Sequence, residues 1–506
     1  MARITFVYPD FESLGVEYLM AVCSKAGHEV QFVYYESWDV YFGRPRGNIP
    51  YEQIAVEICQ TAPDIAAFSC VTDNYQHQLQ VAQRLKGKDN HILTIFGGIH
   101  PTAVPEKVLQ NPCVDAAAIG EAEHSLVDLL SASEASGGLS FPDQPVPGIV
   151  FKKNGRMVGE FAEGRLADLD LLPFPQKQSF LAVLRNPFHG YRIMTSRGCP
   201  YHCSYCFNSY MLRLRNGKVI RRRSVANVIA ELHWARKEFS IQHVFFLDDS
   251  FTTHKRWLKD FCAQYKAEIN LPFACIANPF YIDEEIAEVL ASAGCVNMQL
   301  GVQSLSEPVC AQVLDRKSSN EKISAVLQQL KRRHIMVQID HMLGIPGDTL
   351  ETQEDSILFY NAHRPDLISV FWLTYYPQTT IVDTAKKAGI LTSSDIERIE
   401  QGLQLTSGSV HSGGSMKNPA PYYGVGLLLN YLPLLPKWCV TLLLESRIYR
   451  LFRVRSYFIS TALPSAIQSI FNKRYFRGRS HILRFIGKFF GSLFRRERSL
   501  IQIRHR

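Results

Sequence analysis

Little in this chain places it outside a reducing compartment or across a bilayer. Its 506 residues carry 12 cysteines, but a disulfide framework does not suit a chain so long. All except one triplet stand singly in apolar runs, as reduced, buried thiols do. The start, Met1-Ala-Arg-Ile-Thr-Phe-Val-Tyr-Pro9, enters a strand at once and lacks the h-region and cleavage site of a secretory signal. A cytoplasmic location is therefore expected. The strongly apolar stretch Tyr422–Leu444 is broken by Pro433, Pro436 and Lys437, whereas a spanning helix wants about 20 uninterrupted apolar residues. Two short helices are expected there instead. No G-x-G-x-x-G opens the first helix, which removes the main support for dinucleotide binding. No recognised reading module accompanies the positive charge, so nucleic acid is not an expected partner.

Acidic residues are scarce at one end only. From Lys437 to Arg506 there are 16 Lys/Arg against Glu445 and Glu497, a net of +14, so the other 436 residues sum to −6 within the overall +8. This asymmetry points to an anionic partner for the tail alone.

What is present is a hydrophobic fraction of 46% and a charged fraction of 20%, ample for folded cores in two or three domains. Up to about residue 127, short apolar runs alternate with helical stretches. The strands are expected at Ile4–Tyr8, Val30–Tyr35, Ile65–Val71, Ile92–Phe96 and Ala116–Ile119, the signature of a doubly wound parallel sheet. Ligands of such sheets sit beyond the carboxyl ends of the strands. Those ends carry Pro9-Asp10, Ser69, Val71-Thr72, Gly97-Gly98 with His100, and Gly120-Glu121. Paired glycines after a strand let backbone approach a large flat ligand closely. A connector over 128–186 holds a hairpin with an Asn154-Gly155 turn and ends in the prolines around Pro175.

The stretch Ser196-Arg-Gly-Cys-Pro-Tyr-His-Cys-Ser-Tyr-Cys-Phe-Asn208 sets Cys199, Cys203 and Cys206 at C-x3-C-x2-C spacing after an extended run. Three thiolates this close can hold three irons of a [4Fe–4S] cube and leave the fourth open. The alternatives are ordinary reduced cysteines or a zinc site with His202 as fourth ligand. About six strand–helix units follow to residue 400, an incomplete β/α barrel. Asp248 and Asp249 end one of its strands, where carboxylates face the mouth of such a barrel; a helix cap is the other reading. The run Arg221-Arg-Arg223 reads as a solvated surface in preference to a receiver of acidic groups.

The cysteine loop and its flanks resemble the radical S-adenosylmethionine (SAM) superfamily. So do Asp248-Asp-Ser-Phe-Thr252, Gly301-Val-Gln-Ser304 and Gly344-Ile-Pro-Gly347. The Gly-Gly-Ile-His-Pro-Thr and Gly-Glu-Ala-Glu turns of the first segment resemble the cobalamin-binding domain of one branch of that superfamily. The resemblance implies a [4Fe–4S] cluster on Cys199, Cys203 and Cys206, and SAM contacts from Tyr205, Asp248, Asp249, Gln303 and Gly344. It also implies cobalamin contacts from Ser69, Thr72, Gly97, Gly98, His100, Gly120 and Glu121. The D-x-H-x-x-G signature is absent, which leaves a cobalt without a protein imidazole or a domain that binds no corrin. Pro377-Gln-Thr-Thr-Ile381 departs from the usual Pro-Gly-Thr-Pro. The implied activity is methyl transfer to an unactivated carbon through a 5′-deoxyadenosyl radical and methylcobalamin, dependent on a low-potential electron donor. An oxidative cyclase or rearrangement enzyme, a non-catalytic iron–sulfur or corrin module, and an RNA methylthiotransferase are the alternatives. The last usually carries further clustered cysteines, which are lacking here.

Residues 401–506 read as a helical, basic region. Ile482, Phe485, Ile486, Phe489, Phe490 and Leu493 form an apolar stripe, with Arg484, Lys488 and Arg495 off it. A basic amphipathic helix suits an anionic membrane surface, or packs on the barrel with a solvated face. Docking on lipid would favour a lipid-like over another small-molecule substrate.

Overall fold

The computed structural model describes residues 1–39, 44–45, 47–135, 141–184, 190–217, 220–403, 419–454, 456, 458–471 and 501–504. The first sheet is built from β1 (Arg3–Pro9), β2 (Glu29–Tyr35), β3 (Ile65–Ser69), β4 (Leu93–Gly97) and β5 (Ala116–Ala118). They run parallel in the order 2-1-3-4-5. Helices cover both faces, which is why the strands read as almost unbroken apolar runs. Val7, Val33, Phe68 and Phe96 join one core, and Ile4, Phe6, Phe32 and Ile95 the other.

The connector hairpin, β6 (Ile149–Lys153) and β7 (Arg156–Val158), adds two antiparallel strands to this sheet. Its turn places Asn154 and Gly155 both at positive φ, 50° and 72°, as a tight Asn-Gly turn requires. The first structural layer thus continues past residue 127. A last strand, Ile501–Arg504, pairs antiparallel with β2.

The second sheet holds β8 (Gly190–Ile193), β9 (His243–Phe246), β10 (Phe273–Ala277), β11 (Cys295–Gln303), β12 (Met336–Leu343) and β13 (Leu367–Trp372). All are parallel and in chain order, with β8 and β13 as its two edges. Six strands are two short of a closed β/α barrel, so the curve stays open on one side. Along each strand alternate residues separate. Tyr191, Val244, Met298 and Ile339 join the core under the outer helices. The opposite face is polar: Gln299 donates to Asp340 at 2.7 Å and Gln338 to Ser369 at 2.9 Å.

After the barrel, helix Ala420–Tyr431 packs on β13 and on helix Leu350–His363, and helix Lys437–Glu445 follows a one-turn break. These are the two short helices expected from the prolines. Among the described residues no helix is long and apolar enough to cross a membrane. The amphipathic stretch 482–493 lies outside the described residues.

Candidate functional site

The cysteine loop leaves β8 and is held from three sides. Ser196–Arg197 pairs antiparallel with Arg221–Arg222. The Ser204 amide donates to the Leu314 carbonyl at 2.9 Å and its hydroxyl to that of Val313 at 2.6 Å. Cys206 stands at the start of helix Phe207–Leu214, where the helix dipole favours negative charge. Cys203 is buried and the other two thiols are half-buried. The buried Arg316 guanidinium donates to Cys203 Sγ at 3.5 Å and to the Gly301 carbonyl.

Burial pushes the Cys199 thiol up to about 12 and the Cys206 thiol up to about 11, with the neighbouring thiols and Asp249 adding to it. Such thiols are protonated at neutral pH and are not free nucleophiles. Metal binding takes the thiolate forms and so releases these protons. Backbone amides and Arg316 aimed at sulfur are what an anionic iron–sulfur cluster uses. Among the described residues no three His, Cys, Asp or Glu side chains converge tightly enough for a single metal ion, and His202 is exposed. The thiolates of a cubane serve separate irons and need not converge on one point. The residues present therefore fit the cluster.

Asp248 and Asp249 take opposite roles. Asp248 is fully buried and accepts from the Thr195 amide at 3.1 Å, the Thr195 hydroxyl at 2.7 Å and the Ser196 hydroxyl. Arg222 lies 4.0 Å away. This carboxylate anchors the segment that leads into the cysteine loop. Asp249 is open to solvent yet hemmed in. Crowding by the protein raises its pKa, while hydrogen bonds from the Asn208 side chain and Gly198 backbone oppose the rise. Tyr205 is half-buried against the apolar cluster that includes Met342 and Ile345. Gln303 ends β11 and Gly344 follows β12, both at positive φ, 72° and 80°. For Gln303 that conformation is strained, a feature concentrated at binding sites.

The carboxyl end of the first sheet faces this loop. Tyr376 donates to Asp73 at 3.3 Å and Tyr210 to the Thr102 carbonyl at 3.4 Å. Several residues expected to touch cobalamin also have framework contacts. Gly98, at φ 98°, presses on Cys70, where a Cβ would sit 2.7 Å from the carbonyl oxygen. His100 is fully buried, 3.1 Å from the Thr72 hydroxyl and stacked 4.2 Å from the Tyr75 ring. Burial pushes it down to about 4, so it stays neutral. Thr72 is buried with it. Gly120 leaves room for Glu163, which a Cβ would strike at 2.2 Å. Ser69 and Gly97 remain half-buried at the ends of β3 and β4. What this edge offers a corrin is apolar: Phe11 after β1 and Ile99 after β4 are 51% and 40% exposed. Solvated aromatic and aliphatic groups at the open edge suit a large flat ring, so the residues present fit the group. The sequence reading passed over both.

Glu121 belongs to a charge cluster between the two sheets. It accepts from Arg197, Arg221 and, at 2.8 Å, Arg215. Arg215 also pairs with Glu163 at 2.6 Å, and Arg197 with Glu123 at 2.7 Å. Burial works to raise the Glu121 pKa, but the three guanidiniums outweigh it and hold the carboxyl below its usual range. The Arg221–Arg223 run, expected at the surface, is thus interior. Arg222 lies over Trp257 and bonds Thr253 at 2.9 Å, and Arg223 pairs with the buried Glu231.

Residues 2–130 match the B12 binding domain and residues 193–360 the radical SAM superfamily. An uncharacterized methyltransferase of Pyrococcus horikoshii is 28% identical over 67% of this chain and 72% of its own. Cytidylyl-2-hydroxyethylphosphonate methyltransferase of Streptomyces wedmorensis is 24% identical over 68% and 72%. The radical SAM methyltransferase TsrM of Kitasatospora setae, solved with cobalamin and a [4Fe–4S] cluster, superposes with a TM-score of 0.61. That match covers 78% of this chain and 80% of TsrM at 16% identity, a likeness of fold. Cysteine loop, partial barrel and corrin-type sheet agree with both family matches: the chain is a radical SAM superfamily enzyme with an N-terminal B12-binding domain.

Proposed function

We propose that the protein is a cobalamin-dependent radical SAM methyltransferase acting on an unactivated carbon of a small molecule. The observation that carries the proposal is the opposition of the two sheets' carboxyl ends, with the cysteine loop between them and the Glu121 ion pairs joining them. The names of the relatives above favour methyl transfer. When bound, the cluster and cobalamin supply one-electron cleavage of SAM and a transferable methyl group.

The chain's own contributions follow from its geometry. Cys199, Cys203 and Cys206 hold the cluster, and Arg316 offsets negative charge at Cys203. Asp249, Gln303, Gly344 and Tyr205 would hold SAM. Phe11, Ile99 and the half-buried backbone at Ser69 and Gly97 receive the corrin. The polar inner face around Gln299 and Asp340 gives the barrel donors and acceptors for a polar substrate. A low-potential reductant completes the requirements.

Anaerobic reconstitution with iron, sulfide and hydroxocobalamin, followed by SAM and dithionite, tests this reading. It predicts a corrin band, about four irons per chain and 5′-deoxyadenosine. A loaded cluster that yields no 5′-deoxyadenosine overturns it. Cys203→Ala should abolish iron retention, and unchanged iron would remove the cluster assignment.

A further inference from the structure

The C-terminal region exposes more large apolar side chains than a solvated flank accounts for. In helix Lys437–Glu445, Val440 and Leu444 turn inward, while Trp438 and Leu442, four residues apart on the opposite side, are 69% and 56% exposed. The 3-10 turn Ile448–Leu451 packs against that helix and buries Tyr449. Ile448 and Leu451, three apart and so on one face of such a turn, are 47% and 76% exposed. Phe452 and Ile459 continue the exposed series. The turn is fastened to the barrel: Tyr449 and Arg450 both reach Glu354 on helix Leu350–His363.

Scattered exposed leucines need no explanation, but exposed apolar side chains gathered on two elements that pack together, helix Lys437–Glu445 and turn Ile448–Leu451, point to an interaction surface. Its surroundings identify the partner. Lys437, Arg447 and Arg453 are exposed in the same segment, against Glu445 alone. The sequence from Lys437 onward carries 16 Lys/Arg against two Glu. A protein partner matched to so many cations would be acidic and discrete. A bilayer with anionic headgroups offers negative charge over any area, and beneath it a place for aliphatic side chains. Trp is the residue type that settles at that boundary. We propose that the described residues of 437–454 together with Ile459 form a docking face for an anionic membrane surface, with Trp438, Leu442, Ile448, Leu451, Phe452 and Ile459 entering the lipid boundary and the exposed cations contacting headgroups. The helix and turn that carry most of the face are folded and fastened to the barrel. The face is independent of the methyl-transfer reading.

The test is flotation of the full-length reconstituted protein with phosphatidylcholine vesicles, with and without phosphatidylglycerol. The wild type should float with the phosphatidylglycerol vesicles, less so at high salt, and hardly with phosphatidylcholine alone. The exposed-site variant Leu442→Glu/Leu451→Glu should lower partitioning about tenfold or more, since each leucine loses its apolar transfer term. Its iron content and circular dichroism should match wild type. Failure of the wild type to float overturns the proposal. Equal flotation of the double variant also overturns it and assigns binding to the remaining tail. A wild-type dimer in gel filtration that the variant dissolves assigns the face to a second copy, which overturns it as well.

Discussion

Arg215→Met probes the contact between the two cofactor-binding layers. Arg215 donates to Glu163 at 2.8 and 2.6 Å and to Glu121 at 2.8 Å, with side-chain exposures of only 10%, 8% and 15%. Removing the guanidinium leaves Glu163 with the Glu121 amide, at 3.1 Å, as its remaining donor named here. Glu121 keeps Arg197 and Arg221. Breaking a buried pair from one side costs about 3–5 kcal/mol. Because Glu121 stays paired, the lower end applies, about 3 kcal/mol or roughly two decades in the opening equilibrium. Two domains need not unfold together, so a single unfolding free energy is the wrong observable. Native-state hydrogen exchange resolves the opening locally. Amides in Ala116–Glu123 and Arg197–Cys206 should exchange on the order of a hundredfold faster in Arg215→Met. Adding Glu163→Gln removes the stranded charge and should restore at least about a tenfold slowing. The reasoning fails if exchange rises by less than about threefold, or if the two substitutions simply add.

Two further predictions use other parts of the site. Asp248→Asn replaces one acceptor oxygen by a donor facing the Thr195 and Ser196 groups, at about 1–3 kcal/mol for each group left unpaired. Iron retained after gel filtration should fall, whereas Asp249→Asn should keep its iron and weaken SAM binding in equilibrium dialysis. Equal effects of the two changes would remove the distinction between anchor and ligand contact. The second concerns His100 and His341, both pushed down from 6.5 to about 4 by burial. The unfolded chain takes up these protons near pH 6.5 and the folded chain refuses them until about 4. Stability is therefore full above pH 6.5 and is lost as the pH falls toward 4, by up to about 1.4 kcal/mol per pH unit for each histidine. Melting temperatures between about pH 7.5 and pH 5 should show the slope, and His341→Gln should flatten it; an unchanged slope refutes the assignment.

The elements were legible in the sequence because their signals are local. Every barrel strand announced itself as a short apolar run, and the Asn154-Gly155 turn and the prolines after Tyr431 marked their breaks. The cysteine spacing is local too. What stayed hidden depends on pairing across the chain. Arg316 lies 113 residues from the Cys203 sulfur it donates to, and nothing in Leu-Asp-Arg-Lys marks that Arg as buried. Gly98 was legible as a glycine that needs close approach, but the approaching group is the Cys70 backbone. His341 was missed in the same way. His341 is buried between Tyr360 at 3.0 Å and Gln353 at 2.9 Å, on a strand that reads as mainly apolar.

Asp248 and Asp249 show why a motif locates a site better than it assigns roles within it. Successive residues at a strand end point to opposite sides. Here β9 ends at Phe246, and the two carboxylates beyond it differ in environment, Asp248 fully buried and Asp249 exposed. Phe246, two residues before Asp248, lies in the outer core. Asp248 is buried as well, where a charge survives only if donors surround it. Thr195 and Ser196 supply those donors, from the segment that leads into Cys199. The Arg221–Arg223 run follows the same logic. Three adjacent cations diverge, so one meets Glu121, one lies near Asp248 and one meets Glu231. Each carboxylate belongs to a different element, and together they tie the corrin-type sheet, the cysteine loop and the first barrel helix into one unit. A charged run that reads as solvated surface becomes interior when its partners are this widely separated in sequence.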